Sequence, residues 1–205
     1  MIPGGRAGQP GESYTFFLIS GLIPWLGVNE GLMRSTTAIL DNAPLVRKLP
    51  LRSEVLVAVP NASALIFECV GLAIFVVALV VRGESMRFLW ILPFALIIQA
   101  TLQFGVGLFL AALYVLFRDL AQIVAFLLSI LFYLSPILYP AGGRFGKLLL
   151  WNPLTPLLGL FRSATLGSPL PAAGSIVFLL IFTASVLASG LLFFRRAQPT
   201  LVDLI

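Results

Sequence analysis

Three side chains sit where an apolar chain tolerates them least. Glu68 lies near the middle of the apolar run over residues 55–81, and Gln99 and Gln103 lie inside the run over residues 88–117. The two glutamines are four positions apart, so a helix places them on one face. An ionised carboxylate at the centre of a bilayer costs about 2.5–3.5 kcal/mol on insertion scales. Glu68 must therefore face protein or a water-filled path. Two chemistries fit. In one, Glu68 and the amides line or gate a polar pathway. In the other, a protonated Glu68 hydrogen-bonds a glutamine and ties two helices together.

Other chemistries lack their residues. The chain has no histidine and one cysteine, Cys69, which removes Ser-His and Cys-His pairs and an intrachain disulfide and leaves no ordinary ligand set for zinc, copper or haem. Cys69 reads as a small packing residue. No phosphate-cradling loop is present, since that motif ends in Gly-Lys-Ser/Thr. Lys48 follows Arg47, and Lys147 is followed by Leu148 with Ala141 at the first glycine position. The chain is expected to be no enzyme and to bind no cofactor. If nucleotide powers it, ATP and magnesium sit on another polypeptide.

The elements that must position these residues are membrane spans. The 205 residues are 60% hydrophobic and only 10% charged, against about 25% charge in an ordinary soluble domain. The net charge of +5 comes from basic residues scattered over loops, with no dense basic face, so no nucleic-acid partner is expected. A helix needs about 20 apolar residues to cross the bilayer. Five runs qualify: residues 14–33, 55–81, 88–117, 121–138 and 174–194. The fold class is thus an all-α integral membrane protein forming a single transmembrane domain. If every run crosses, one side carries Arg34, Arg47, Lys48, Arg52, Arg118, Arg195 and Arg196, and the other carries Arg6, Arg82, Arg87, Arg144, Lys147 and Arg162. These nearly equal sets leave the orientation open under the positive-inside rule.

The segments between runs are not uniform. Residues 139–173 hold five prolines and apolar pieces too short to span, a pattern of re-entrant or interfacial helices with Trp151 at headgroup level. Arg118–Asp119 separates two runs. A tight turn exposes both charges and lets Asp119 cap the next helix, and an intramembrane ion pair is the alternative. Gly107 with Ala111, and Ala184 with Ala188, are small residues at packing spacing.

Five stretches, in order, resemble one family. They are "FFLISGLIPW" (16–25), "DNAPLVRKL" (41–49), "FRDL" (117–120), "YLSPILYP" (133–140) and "NPLTPLLGLFRSATLG" (152–167). Together they are similar to the membrane subunit of type-2 ATP-binding cassette exporters, in particular the polysaccharide and teichoic acid export permeases. The likeness runs from about Tyr14 to Arg196. Two departures stand out. The family has Phe-Pro after the basic pair, where this chain has Leu51–Arg52, with a proline earlier at Pro50. The family also has six spans, and the Gly/Pro-rich start resembles its loop between spans one and two. The family's first span is therefore expected to be missing, by truncation or a misassigned start.

The resemblance implies an orientation and a mechanism. It makes residues 34–54, the Arg118–Asp119 turn and the tail cytoplasmic, and residues 139–173 external re-entrant helices. It implies a homodimer in the bacterial inner membrane, two ATPase subunits docked on it, and a lipid-linked polysaccharide or polyol phosphate as cargo. The family's coupling helix falls on the 34–54 segment, where Asn42, Leu45, Arg47, Lys48, Leu49 and Arg52 are the expected motor-docking residues. Candidate path residues are Glu68, Gln99, Gln103, Trp25, Phe132 and Tyr133, with Phe16 and Phe104 as further aromatics. Two competing functions remain: export of a drug or lipid on the same scaffold, and an ion-coupled transporter or channel using Glu68.

Overall fold

In a computed structural model of the chain, residues 14–44, 53–83, 88–140 and 151–204 are described, the last six by backbone alone. The expected docking residues Leu45, Arg47, Lys48, Leu49 and Arg52 lie outside the described residues. The described chain is helical throughout, with no strand. The order is α1 (Tyr14–Asp41), α2 (Glu54–Val81), a 3-10 turn (Leu89–Ile91) leading into α3 (Leu92–Leu116), α4 (Leu120–Leu134), α5 (Leu154–Leu166) and α6 (Ala173–Leu204).

Four helical stretches are long and apolar enough to cross a membrane: α1, α2, the turn with α3, and α6 as far as Gln198. The first three are 28 residues each, which at 1.5 Å per residue is about 42 Å of rise against a core of about 30 Å. The fourth apolar run yields a shorter helix than its composition allows. α4 has 15 residues, about 22 Å. It stops at Leu134 because Pro136 has no N–H for the Phe132 carbonyl and disfavours helical backbone at Ser135. The chain turns there instead, with Ser135 N–H donating to the Phe132 carbonyl and Ile137 N–H to the Ser135 carbonyl.

Burial differs among these helices. Half of the most apolar window is buried in α1 and in the α3 stretch, but only 28% in α2 and 17% in α6. α2 leaves Ile66, Phe67, Val70, Ile74 and Val77 exposed, the apolar face that lipid would cover. Charged or amide groups facing that way would lack partners.

The described residues form two compact units. One takes the chain through Leu26, Glu68–Ile98 and Ile130–Leu180; the other takes Gly27–Phe67, Gln99–Ser129 and the residues from Ile181. In the second unit Ile39, Val57, Leu108, Ala111, Ala112 and Phe194 make a core. Its closest helix contact is glycine on glycine. A Cβ on Gly190 of α6 would lie 2.5 Å from the Gly105 carbonyl oxygen of α3, and one on Gly105 would lie 2.9 Å from the Leu187 backbone. Gly107 approaches Ser35 and Val57 in the same way, and Ala111 is buried. Ala184 and Ala188, expected to pack, are exposed instead. α6 turns the face bearing Gly190 inward, and those alanines lie on the other side.

Candidate functional site

In the first unit, the motif segments after α4 assemble around two polar side chains. Asn152 opens α5: its Oδ1 accepts from Leu154 N–H at 2.9 Å, satisfying a donor that a helix start leaves over. Its Nδ2 donates to the Leu134 carbonyl and to Ser135 Oγ, at 3.2 and 3.1 Å. One amide thus joins the start of α5 to the break after α4. Arg162, three turns on, is 7% exposed. Its Nη2 donates to the Ile137 carbonyl at 3.2 Å, and its guanidinium lies 3.8 Å over the Phe17 ring of α1. A side chain at Gly21 would meet Arg162 Nη2 at 2.9 Å, so α1 is bare where the guanidinium passes. Sequence reasoning gave Arg162 a place in a motif and in the charge balance, but no structural role. The signal was there, a single cation inside the apolar "LLGLFRSATL".

α5 has 13 residues, too few to cross, and ten of them are buried in protein. That burial meets the physical demand on non-spanning backbone at membrane depth, which needs protein or water around it. Gly167 ends it in the left-handed conformation at φ 67°, which glycine adopts without a Cβ clash. The single Ser163 hydroxyl proton is shared between the Gly159 carbonyl at 2.9 Å and the Pro169 carbonyl at 3.1 Å, holding the segment after α5 close to the helix.

The aromatic candidates also gather in this unit. Trp25 of α1 is buried and sits 5.6 Å from Phe132 of α4, and Phe132 meets Tyr133 edge-on at 5.3 Å. Tyr133 is 67% exposed, and its carbonyl accepts from the Tyr139 hydroxyl at 2.7 Å. The three rings make a run from the interior of the unit to its surface. Phe16 stands apart, paired with Phe75 and covered by Arg82.

Of the polar candidates, Glu68 is buried in the first unit, and Gln99 and Gln103 are buried in the second. Gln103 Nε2 donates to the Gly27 carbonyl of α1 at 2.7 Å. Close by, Asn61 Nδ2 donates to Ser35 Oγ at 2.7 Å. Gly31 lies between the two amides: a Cβ there would be 3.0 Å from Gln103 Nε2 and 3.2 Å from Asn61 Oδ1. Asn61 belongs to this polar layer, although its lone amide in an apolar helix received no role from sequence. Phe104 lies beside the core of the same unit.

At the α3–α4 junction Arg118 and Asp119 form an exposed turn, with Leu120 N–H donating to the Phe117 carbonyl. Asn42, the one docking candidate among the described residues, caps the end of α1 by donating to the Ala38 carbonyl at 2.8 Å. Across the second unit Arg195 of α6 pairs with Glu54, the first residue of α2, at 3.3 Å. Sequence reasoning assigned no role to this pair.

Apolar helices with buried amides and a short packed helix describe a multi-pass membrane protein, and comparison with known proteins narrows the class. No family model matches the chain. It is 28% identical over 200 residues to the O-antigen export system permease protein RfbA of Klebsiella pneumoniae, covering 94% of this chain and 76% of that one. A second RfbA of that organism is 30% identical over 73% of this chain and 60% of its own length. The polysialic acid transport protein KpsM of Escherichia coli is 27% identical over 95% of this chain and 77% of its own. The chain is thus homologous to the membrane permease subunits of type-2 ABC exporters. It is a multi-pass inner-membrane protein.

Proposed function

We propose that this chain is the transmembrane subunit of an ATP-driven exporter that carries a lipid-linked polysaccharide or polyol phosphate across the inner membrane. The observation that carries the reading is the alignment, over 94% of this chain, to a permease named for O-antigen export. The physical features fit it. Transport without chemistry needs no catalytic cluster, and an extruded glycan needs polar groups and ring faces along a helix-lined route. Trp25, Phe132 and Tyr133 supply ring faces, and Glu68, Gln99 and Gln103 supply polar groups.

In this reading two copies pair, and two ATPase subunits bind ATP and magnesium beneath them. The segment holding Asn42, Leu45, Arg47, Lys48, Leu49 and Arg52 receives the motor on the cytoplasmic side, the side also facing Arg118 and Asp119. In this reading the Arg162–Asn152 clamp fixes the external short helix.

The test is genetic and biochemical together. Deleting the gene in its own bacterium is expected to abolish a surface polysaccharide while its lipid-linked precursor accumulates inside. The tagged permease, purified in mild detergent, is expected to bring down an ATPase subunit. A deletion strain with intact surface glycan and a permease with no ATPase overturn the reading.

A further inference from the structure

We propose that the cleft between the end of α1 and the start of α2 is a sugar-binding site for the substrate's hydroxylated units. The inference rests on the glycan reading above and deepens it. The cleft encloses about 500 Å³, in the range of small-molecule sites. α1 contributes Arg34, Thr37, Asp41 and Asn42, and α2 contributes Pro60 and Ser63. The α1 positions recur at three- and four-residue steps and offer one polar stripe, which α2 faces with Leu56, Val59, Pro60 and a single hydroxyl, Ser63. Elsewhere α2 shows valine, isoleucine and phenylalanine outward.

Depth makes the polarity meaningful. Arg34 is seven residues, about 10 Å, from the end of α1. With the helix centred on the bilayer, its Cα lies roughly 4–5 Å inside the hydrocarbon boundary. A guanidinium at that depth cannot face lipid without cost, whereas Thr37 lies at the boundary and Asp41 and Asn42 lie beyond it. The stripe therefore runs from the hydrocarbon edge outward, where water or a polar ligand can reach it.

The donor and acceptor balance selects the ligand. Asp41 only accepts. Asn42 spends an N–H on the Ala38 carbonyl and keeps its amide oxygen. Pro60 has no N–H to give to the carbonyl of Leu56, another residue of the cleft wall. Thr37 and Ser63 hydroxyls both donate and accept. The one cation, Arg34, is already 3.4 Å from Glu30. Phosphate brings acceptors alone and would meet the Asp41 carboxylate and a guanidinium already shared with Glu30. A metal cation would meet Arg34. A polyhydroxyl chain answers every group, since each hydroxyl donates to the acceptors and accepts from Arg34. Pro60 and Ala38 give the C–H face of a sugar ring an apolar surface.

The test uses the permease with its ATPase partner in phosphatidylglycerol nanodiscs and saturation-transfer NMR. Maltotetraose is the neutral sugar probe and glycerophosphate the anion probe. Saturation of maltotetraose is expected, falling at least five-fold in a Thr37→Val/Ser63→Ala variant. Glycerophosphate is expected to stay silent, and Ala184→Leu on the exposed face of α6 to change nothing. If the double variant does not fold, Ser63→Cys in a Cys69→Ser background replaces it, and a bulky thiol reagent is expected to remove the signal. Equal sugar signals with and without these changes overturn the site. So does a dominant glycerophosphate signal, or a sugar signal lost whenever phosphatidylethanolamine replaces phosphatidylglycerol, which identifies a lipid headgroup as the occupant. Failure here with surface glycan export and ATPase binding intact removes the cleft assignment and leaves the exporter reading standing.

Discussion

Two single residues carry more of this structure than their types announce. Arg162 is a buried cation that donates to the Ile137 carbonyl at 3.2 Å and lies 3.8 Å over the Phe17 ring. A charged hydrogen bond contributes about 1.5–3 kcal/mol and a desolvated cation–π contact about 2. Arg162→Ala is therefore expected to destabilise the protein by about 3.5–5 kcal/mol, read as a lower melting temperature in detergent. A cysteine at residue 138 should gain reactivity in that variant as the break after α4 loosens; an unchanged reactivity would show that Arg162 does not hold the break. Gly190 is the second such residue. A methyl group placed 2.5 Å from the Gly105 carbonyl forces α3 and α6 apart, so Gly190→Ala is expected to cost about 1–3 kcal/mol. Ala188→Leu, on the exposed side of α6, should stay within about 0.5 kcal/mol. Matching thermal shifts in these two variants would contradict the glycine contact.

At the scale of elements, the helices were legible wherever an apolar run is long. Their ends were legible less often, because they depend on backbone groups that hydropathy does not see. α4 ends at Leu134 through Pro136, although the apolar run continues to Leu138. α5 was visible only as a proline-punctuated short piece, and that it is buried in protein comes from tertiary packing. Spacing marked both Gly107–Ala111 and Ala184–Ala188 as small pairs, but it does not reveal which face of a helix turns inward. The joint between α1 and α2 carries the element-scale prediction. Reversing Arg47 and Lys48 to glutamate is expected to reduce co-purified ATPase at least five-fold and to abolish export, while membrane insertion persists. The mechanism would be lost charge complementarity with the motor. Export at the parental level would place the docking contact elsewhere.

For the molecule as a whole, the question is what energy source moves the cargo, and Glu68 separates the answers. In an ion-coupled transporter a membrane-buried acid must gain and lose a proton in each cycle. In the proposed ATP-driven exporter it need only supply hydrogen bonds inside a helix assembly, and a glutamine supplies them too. Glu68→Gln is therefore expected to keep surface glycan export within about two-fold of the parent, since most of a neutral polar contact survives the exchange. Glu68→Leu removes the polar partner but adds no charge, and should cost stability before it costs transport. Glu68→Lys places an unpaired cation in the same buried site and should prevent accumulation of the protein. Immunoblotting of membranes beside a surface-glycan assay distinguishes lost protein from lost transport. Well-inserted Glu68→Gln protein that exports nothing, in cells whose parental export collapses on adding a proton ionophore while ATP is maintained, would show that a proton gradient drives transport. It would also make Glu68 the proton carrier.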